Sequence, residues 1–208
     1  MSEGGAEVVV IPVPPPVEPV ATQRKRFRTI VTGFETGRTS LIKAFVTGKC
    51  PRLTSSTRND TYYQCIHSLH DDQRVIVDIV EFANTNDIDR VRYHSDEQAN
   101  VAIICFALNS PESASLVTTQ FYPEINYRYP KIPVVLAGTK LDVREKDSAP
   151  GSCLLYQDGL ELARSIGAVS YVECSAKSYK GVKQVFSQAF LASQAFKNDK
   201  NACSLMYI

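Results

Sequence analysis

The sequence predicts an α/β domain built on a mostly parallel sheet, and three observations predict it. Short β-rich runs alternate with longer amphipathic ones along the chain, the rhythm of βα units. Two short runs, Val101–Phe106 and Ile132–Leu136, are continuously apolar, as strands covered by helices on both faces must be. The last long run places Val182, Val185, Phe186, Ala189 and Phe190 at i, i+3, i+4, i+7 and i+8, one helical stripe suited to facing a sheet.

Taken in order, residues 1–26 form a proline-rich arm, with Pro12, Pro14, Pro15, Pro16 and Pro19 and no aromatic. Such a stretch buries too little surface to offset its ordering entropy and is expected to be disordered. Val8–Ile11 has strand character, but the prolines that follow remove backbone donors and favour polyproline II. The body, residues 27–197, opens with a strand at Phe27–Thr32 and a helix at Thr39–Val46. Strands at Tyr62–Leu69 and Arg74–Val80 follow, joined by a hairpin at His70–Gln73. Then come strand Val101–Leu108, helix Pro111–Tyr127, strand Pro133–Ala137, helix Leu154–Ile166, strand Val169–Cys174 and helix Lys180–Phe196. Residues 198–208 read as a flexible tail, and no internal repeat is present.

Composition excludes several classes of function. With 208 residues, 44% hydrophobic and 22% charged, the chain suits one domain with a full core. Lys plus Arg number 23 against 22 Asp plus Glu, so no charge excess points to nucleic acid. The apolar run Ala99–Leu108 is far shorter than the roughly 18 residues of a membrane span. The start lacks the pattern of a signal peptide, and the six cysteines form no CxxC pair. A reducing, cytoplasmic setting without disulfides or structural zinc is expected. His67, His70 and His94 have no metal-ligand spacing. Cys105 and Cys174 lie in apolar strands and read as core residues.

Three segments carry chemistry. Thr32-Gly33-Phe34-Glu35-Thr36-Gly37-Arg38-Thr39-Ser40 joins the first strand to a helix. Such a turn aims backbone N–H groups at one point and adds the helix dipole, which suits phosphate oxygens. A hydroxyl after the basic residue suits Mg²⁺. Alone the segment is equally compatible with an ordinary strand–turn–helix, because Thr32 and Arg38 stand where the usual phosphate loop has glycine and lysine. Gly138-Thr139-Lys140-Leu141-Asp142 follows a later strand, and its carboxylate can accept the paired N–H groups that guanine, unlike adenine, presents on one edge. Glu173-Cys174-Ser175-Ala176-Lys177 closes another strand, where loop amides can meet the base oxygen at the carboxyl end of a parallel sheet.

With these three in order, and with Ile104-Cys105-Phe106, Phe121-Tyr122-Pro123-Glu124 and Ile166–Ala176, the body resembles the small GTPases, specifically the Rho/Rac branch. The resemblance covers residues 27–197. It implies the P-loop small-GTPase fold, a six-stranded mostly parallel sheet flanked by five helices, binding GTP or GDP with Mg²⁺. Two switch segments would change shape when the γ-phosphate is lost. It implies phosphate contacts from Gly33, Phe34, Glu35, Thr36, Gly37, Arg38, Thr39, Ser40 and Asn84. The guanine pocket would comprise Thr139, Lys140, Asp142, Ser175, Ala176 and Lys177. Thr39 and Thr57 would ligate Mg²⁺, with Glu81 acting indirectly, or Asp78 if the strand slips. Effector proteins would meet the first switch near Asp60 and Tyr62.

The departures from the family pattern predict its behaviour. Arg38 replaces a compact lysine with a broad planar fork. Phe34 stands where the family has glycine beside the γ-phosphate and would crowd both the attacking water and an arginine finger. In the second switch, Glu81-Phe82-Ala83-Asn84-Thr85 stands for Asp-x-Ala-Gly-Gln, and Thr85 is too short to orient water as glutamine does. Cys50 replaces an aromatic that flanks the base, which thins its packing. The stretch from Asp142 to Gly159 is too short for the branch's full extra helix. The ending Cys203–Ile208 lacks the spacing of a prenylation signal, and Cys203 is either an idle thiol or a palmitoylation site. Pro12–Pro19 could dock an SH3 domain or serve as a plain spacer. The expected protein is a monomeric Rho-like switch, cytoplasmic or peripheral on a membrane, with slow or absent hydrolysis. The alternative is a nucleotide-free scaffold, and a small-substrate P-loop kinase is disfavoured because Asp142 selects guanine.

Overall fold

The structure, a computed structural model, describes residues 26–50, 61–68, 74–82, 99–146 and 151–205. Six strands form one sheet in the order β2-β3-β1-β4-β5-β6. Their ranges are β1 Arg26–Thr32, β2 Thr61–Ser68, β3 Arg74–Glu81, β4 Val101–Ala107, β5 Val134–Thr139 and β6 Ser170–Glu173. Among the described residues only the β2–β3 pair is antiparallel, with Thr61 opposite Glu81 and Ser68 opposite Arg74. The expected hairpin is therefore present as a pairing, while its turn lies outside the described residues. The other four pairings are parallel, so the carboxyl ends of β1, β3, β4, β5 and β6 share one edge.

The helices are α1 Arg38–Thr47, α2 Pro111–Leu116, α3 Tyr122–Arg128, α4 Leu141–Lys146, α5 Tyr156–Ser165 and α6 Val182–Leu205. Between α2 and α3 the chain makes a π-helical turn, Val117–Phe121, where the sequence predicts one unbroken helix. Pro123 supplies the physical reason, since it has no N–H for a bond back to Thr119 and its ring crowds that carbonyl. The hydroxyls of Thr118 and Thr119 also donate to the Ser115 carbonyl, both at 3.0 Å. Two boundaries differ from expectation. The sheet already includes Arg26, whose guanidinium holds Asp78 at 2.6 Å, so the arm ends one residue earlier. Helix α6 continues to Leu205, past the expected tail boundary at 198, because Lys197–Leu205 contains neither glycine nor proline to stop it.

Two apolar cores cover the sheet's faces. One joins α1 and α6 to the sheet through Leu41, Phe45, Val77, Ile103, Phe186 and Phe190. The other joins α2, α3 and α5 through Ile30, Ile104, Phe106, Phe121, Ile125 and Ala163. All seven residues of β4 are buried, as its continuous apolar run predicts. Phe45 and Phe186 stack with centroids 3.8 Å apart, and Phe27 meets Phe190 edge-on at 5.6 Å. Each such pair contributes about 0.5–1.5 kcal/mol beyond its buried area. Among the described residues no helix is long and apolar enough to cross a membrane.

Candidate functional site

The crevice between β1 and β4, where the strand order reverses direction, is where α/β folds of this kind bind ligands. The loop Gly33–Gly37 occupies its carboxyl edge. Gly33 has φ 142°, and a Cβ there would stand 2.5 Å from the Cys105 carbonyl oxygen, so only glycine fits. Glu35 and Gly37 also take positive φ, 52° and 77°. Gly37 caps α1 without a side-chain hydrogen bond, leaving first-turn N–H groups for an anion. Phe34 and Glu35 are exposed on the rim, Phe34 by 43%. Thr36 is buried, and its hydroxyl has no hydrogen-bond partner among the described residues.

Thr139 fastens this loop to the rest of the sheet. Its hydroxyl lies 2.5 Å from the Thr36 carbonyl and 2.9 Å from that of Phe106. It donates its single hydrogen within this pair of acceptors. Ser40, in the first turn of α1, is half-buried.

Beneath the loop lies a buried polar cluster. The Arg38 Nε donates to Glu81 Oε1 at 3.1 Å, with side-chain exposures of 8% and 0%. The Thr39 hydroxyl donates to the same oxygen, and the Tyr63 hydroxyl donates to Oε2 at 3.1 Å. Burial, followed by the Glu81 charge, pushes the Tyr63 phenol up to about 12. Asp78 lies elsewhere: it binds Arg26 and, at 2.7 Å, the Gln64 amide. It stands three positions before Glu81, and alternation along β3 puts the two on opposite faces. In this register Glu81, not Asp78, meets Arg38 and Thr39.

The residues expected to line a guanine pocket meet where β5 and β6 end. Lys140 takes φ 60°, which turns the chain so that the Leu141 N–H reaches the Cys174 carbonyl at 3.1 Å. Ser175, fully buried, donates its hydroxyl to Asp142 Oδ1 at 2.6 Å and accepts from the Ser178 N–H at 3.1 Å. Asp142 is thus oriented by a side chain 33 positions away. Ala176 is half-buried against the core and Lys177 is exposed. Behind them, Arg144 pairs with Glu173 and donates to the Leu154 carbonyl at 3.0 Å, while the Tyr171 hydroxyl reaches Glu173 at 2.9 Å. Hydrogen bonding to Glu173 raises Arg144, and burial raises Tyr171. Sequence reasoning missed Tyr63, Tyr171 and Arg144, whose partners are distant in the chain and leave no local spacing signal.

Thr57, Asp60, Asn84 and Thr85 lie outside the described residues, as does Pro12–Pro19. Tyr62 is placed on β2 by its backbone, between Thr61 and Tyr63. Cys50 is exposed.

A phosphate-type cradle at the β1–α1 turn, with a carboxylate site where β5 and β6 end, defines a nucleotide-binding P-loop domain. Comparison with known proteins narrows it. The Ras family model matches residues 28–195. The human Rho-related GTP-binding protein RhoD is 32% identical over 160 residues, covering 74% of this chain and 75% of that protein. The chain belongs to the Ras family, as a Rho-related small GTPase of that superfamily.

Ras and Rho GTPases bind GTP or GDP with Mg²⁺. The loop fits the nucleotide's phosphates: its positive-φ turn, its uncapped helix start and the close approach at Gly33 together make an anion cradle. The metal subsite does not fit in the same way. Arg38, Thr39 and Tyr63 already engage both oxygens of Glu81.

Proposed function

We propose that this protein is a guanine-nucleotide switch of the Rho type that hydrolyses GTP slowly or not at all. The observation that carries this reading is Phe34, whose ring stands exposed on the rim of the cradle at the position expected beside the γ-phosphate. A benzyl group there takes the space a water or an incoming arginine needs for in-line attack. Thr85, in place of the water-orienting glutamine, supports the same outcome.

The chain's own residues divide the work. Backbone N–H groups of residues 33–39 hold phosphate oxygens, assisted by the dipole of α1. Asp142, held by Ser175, accepts from the guanine edge and rejects adenine, which lacks the paired donors. The Lys140 stem packs beside the base, while Ser175, Ala176 and Lys177 line the base-oxygen side. Thr139 couples the two ends, because its hydroxyl ties the phosphate loop to the strand that presents Lys140 and Asp142. Effector contact runs along the first switch and β2, at Asp60 and Tyr62, and Pro12–Pro19 offers a proline-rich ligand for an SH3 domain.

The test is to denature freshly purified full-length protein, identify the released nucleotide by chromatography and follow single-turnover hydrolysis. About one GTP per chain with negligible turnover is expected, from tight binding without chemistry. GDP, or turnover at the rate of RhoD measured alongside, would show the hydrolysis argument to be wrong. A second reading, a nucleotide-free scaffold, is favoured by the Arg38–Glu81 pair, which commits the loop's cation to the protein. It predicts an empty chain whose melting temperature does not move with added GTP.

A further inference from the structure

We infer that Arg38 acts as a built-in counter-cation for Glu81, so that guanine nucleotide binds to this chain without depending on Mg²⁺. The inference rests on the nucleotide-binding reading above for one of its two tests and on the structure alone for the other. Glu81 is fully buried at the carboxyl end of β3. A buried carboxylate requires compensation, by a paired cation or by a metal. Here the compensation is internal, since Arg38 Nε stands 3.1 Å from Oε1, with that side chain only 8% exposed. The Thr39 hydroxyl donates to the same oxygen and the Tyr63 hydroxyl to the other.

A divalent ion entering beside Thr39 would meet two obstacles. It would have to draw the Thr39 hydroxyl away from Glu81, and it would sit next to a guanidinium that cannot lose its proton, inside a site of low dielectric. Mg²⁺ also gives up its hydration water reluctantly and demands octahedral geometry, which a carboxylate with both oxygens engaged does not offer. Arginine rather than lysine makes this possible. Its Nε lies partway along the side chain and donates sideways, whereas a lysine carries its only donors at the tip.

The first test loads full-length protein with a fluorescent GDP analogue and compares its release in excess Mg²⁺ with release in EDTA. Wild type should release it at rates within about two-fold of each other, the sign of weak coupling between metal and nucleotide. The Arg38→Lys variant, which frees Glu81 from the sideways donor, should release it about ten-fold faster or more in EDTA. Acceleration of the wild type to the variant's extent overturns the inference, and so does the absence of acceleration in the variant. The second test melts the nucleotide-free proteins with and without Mg²⁺. The wild-type midpoint should not move, while that of Arg38→Lys should rise as the ion compensates Glu81. A rise in the wild type overturns the inference. If neither protein retains the analogue, the switch reading fails and the melting comparison still decides the role of Arg38.

Discussion

Glu81 has no exposed surface and gathers a guanidinium and two hydroxyls around one carboxylate. The Tyr63 phenol contributes a pH dependence through this contact. Its folded value lies above the ordinary 10.0, at about 12, because burial and the Glu81 charge both oppose the phenolate. A raised value means that the neutral phenol favours the fold. That contribution is complete below the unfolded value of 10.0 and is lost as pH climbs through about 12. Denaturant midpoints measured across this range should therefore fall more steeply for wild type than for Tyr63→Phe. Thr139→Val should destabilise the protein by about 1–3 kcal/mol, the cost of leaving a buried carbonyl without its donor. Urea titration checks this, and bound nucleotide should also leave faster from the variant. The Thr139–Asp142 string could be singled out in the sequence because it is short and contiguous. The Arg38–Glu81 pair was not, because its members are 43 positions apart and meet only once β1 and β3 align.

At the scale of elements, α5 meets β6 at Gly159. A Cβ there would overlap the ring of Tyr171, so the glycine tolerates a helix interior in exchange for close packing. Gly159→Ala should lower stability by about 1–3 kcal/mol despite alanine's better helix propensity. Tyr171→Leu in the same chain should recover part of that loss, and chemical denaturation of both variants measures it. The strands were read to within about two residues at their ends, since each is a β-rich run set between longer amphipathic ones, although burial is complete only in β4 and β5. Helix ends were harder to read. The limit of α6 was misplaced because polar composition past Lys197 suggested a tail, whereas helices stop at breakers rather than at polarity. The π turn was invisible because the residues around it satisfy a helical pattern on both sides.

For the molecule as a whole, two cores share one sheet, and the long α6 closes one of them. Phe186 is fully buried and stacked on Phe45, so Phe186→Ala should cost about 3–5 kcal/mol. A shift of the urea midpoint with unchanged slope is the expected signature. The mostly parallel sheet followed from the βα rhythm, because strands joined by covering helices run the same way and place their carboxyl ends together; the strand order, set by which strands pair across the sheet, did not. The internal charge balance of the site did not follow from it. It depends on where a flexible guanidinium comes to rest, which the order of residues along the chain does not encode.

The π turn at Val117–Phe121 has a consequence for phase. Val117, Phe121, Ile125 and Tyr129 all serve the same core, each four positions after the last. In a regular helix each such step overshoots one full turn by about 40°, so the row would wind steadily off the sheet. A wider turn advances less per residue and removes part of that overshoot. Residues 111–128 thus behave as a vernier, in which one slow turn keeps a drifting row of side chains aimed at a single target. Removing one residue from that turn would restore regular winding and leave everything from Tyr122 onward facing nearly the same way, because an i→i+5 turn closes with one residue more than an i→i+4 turn does.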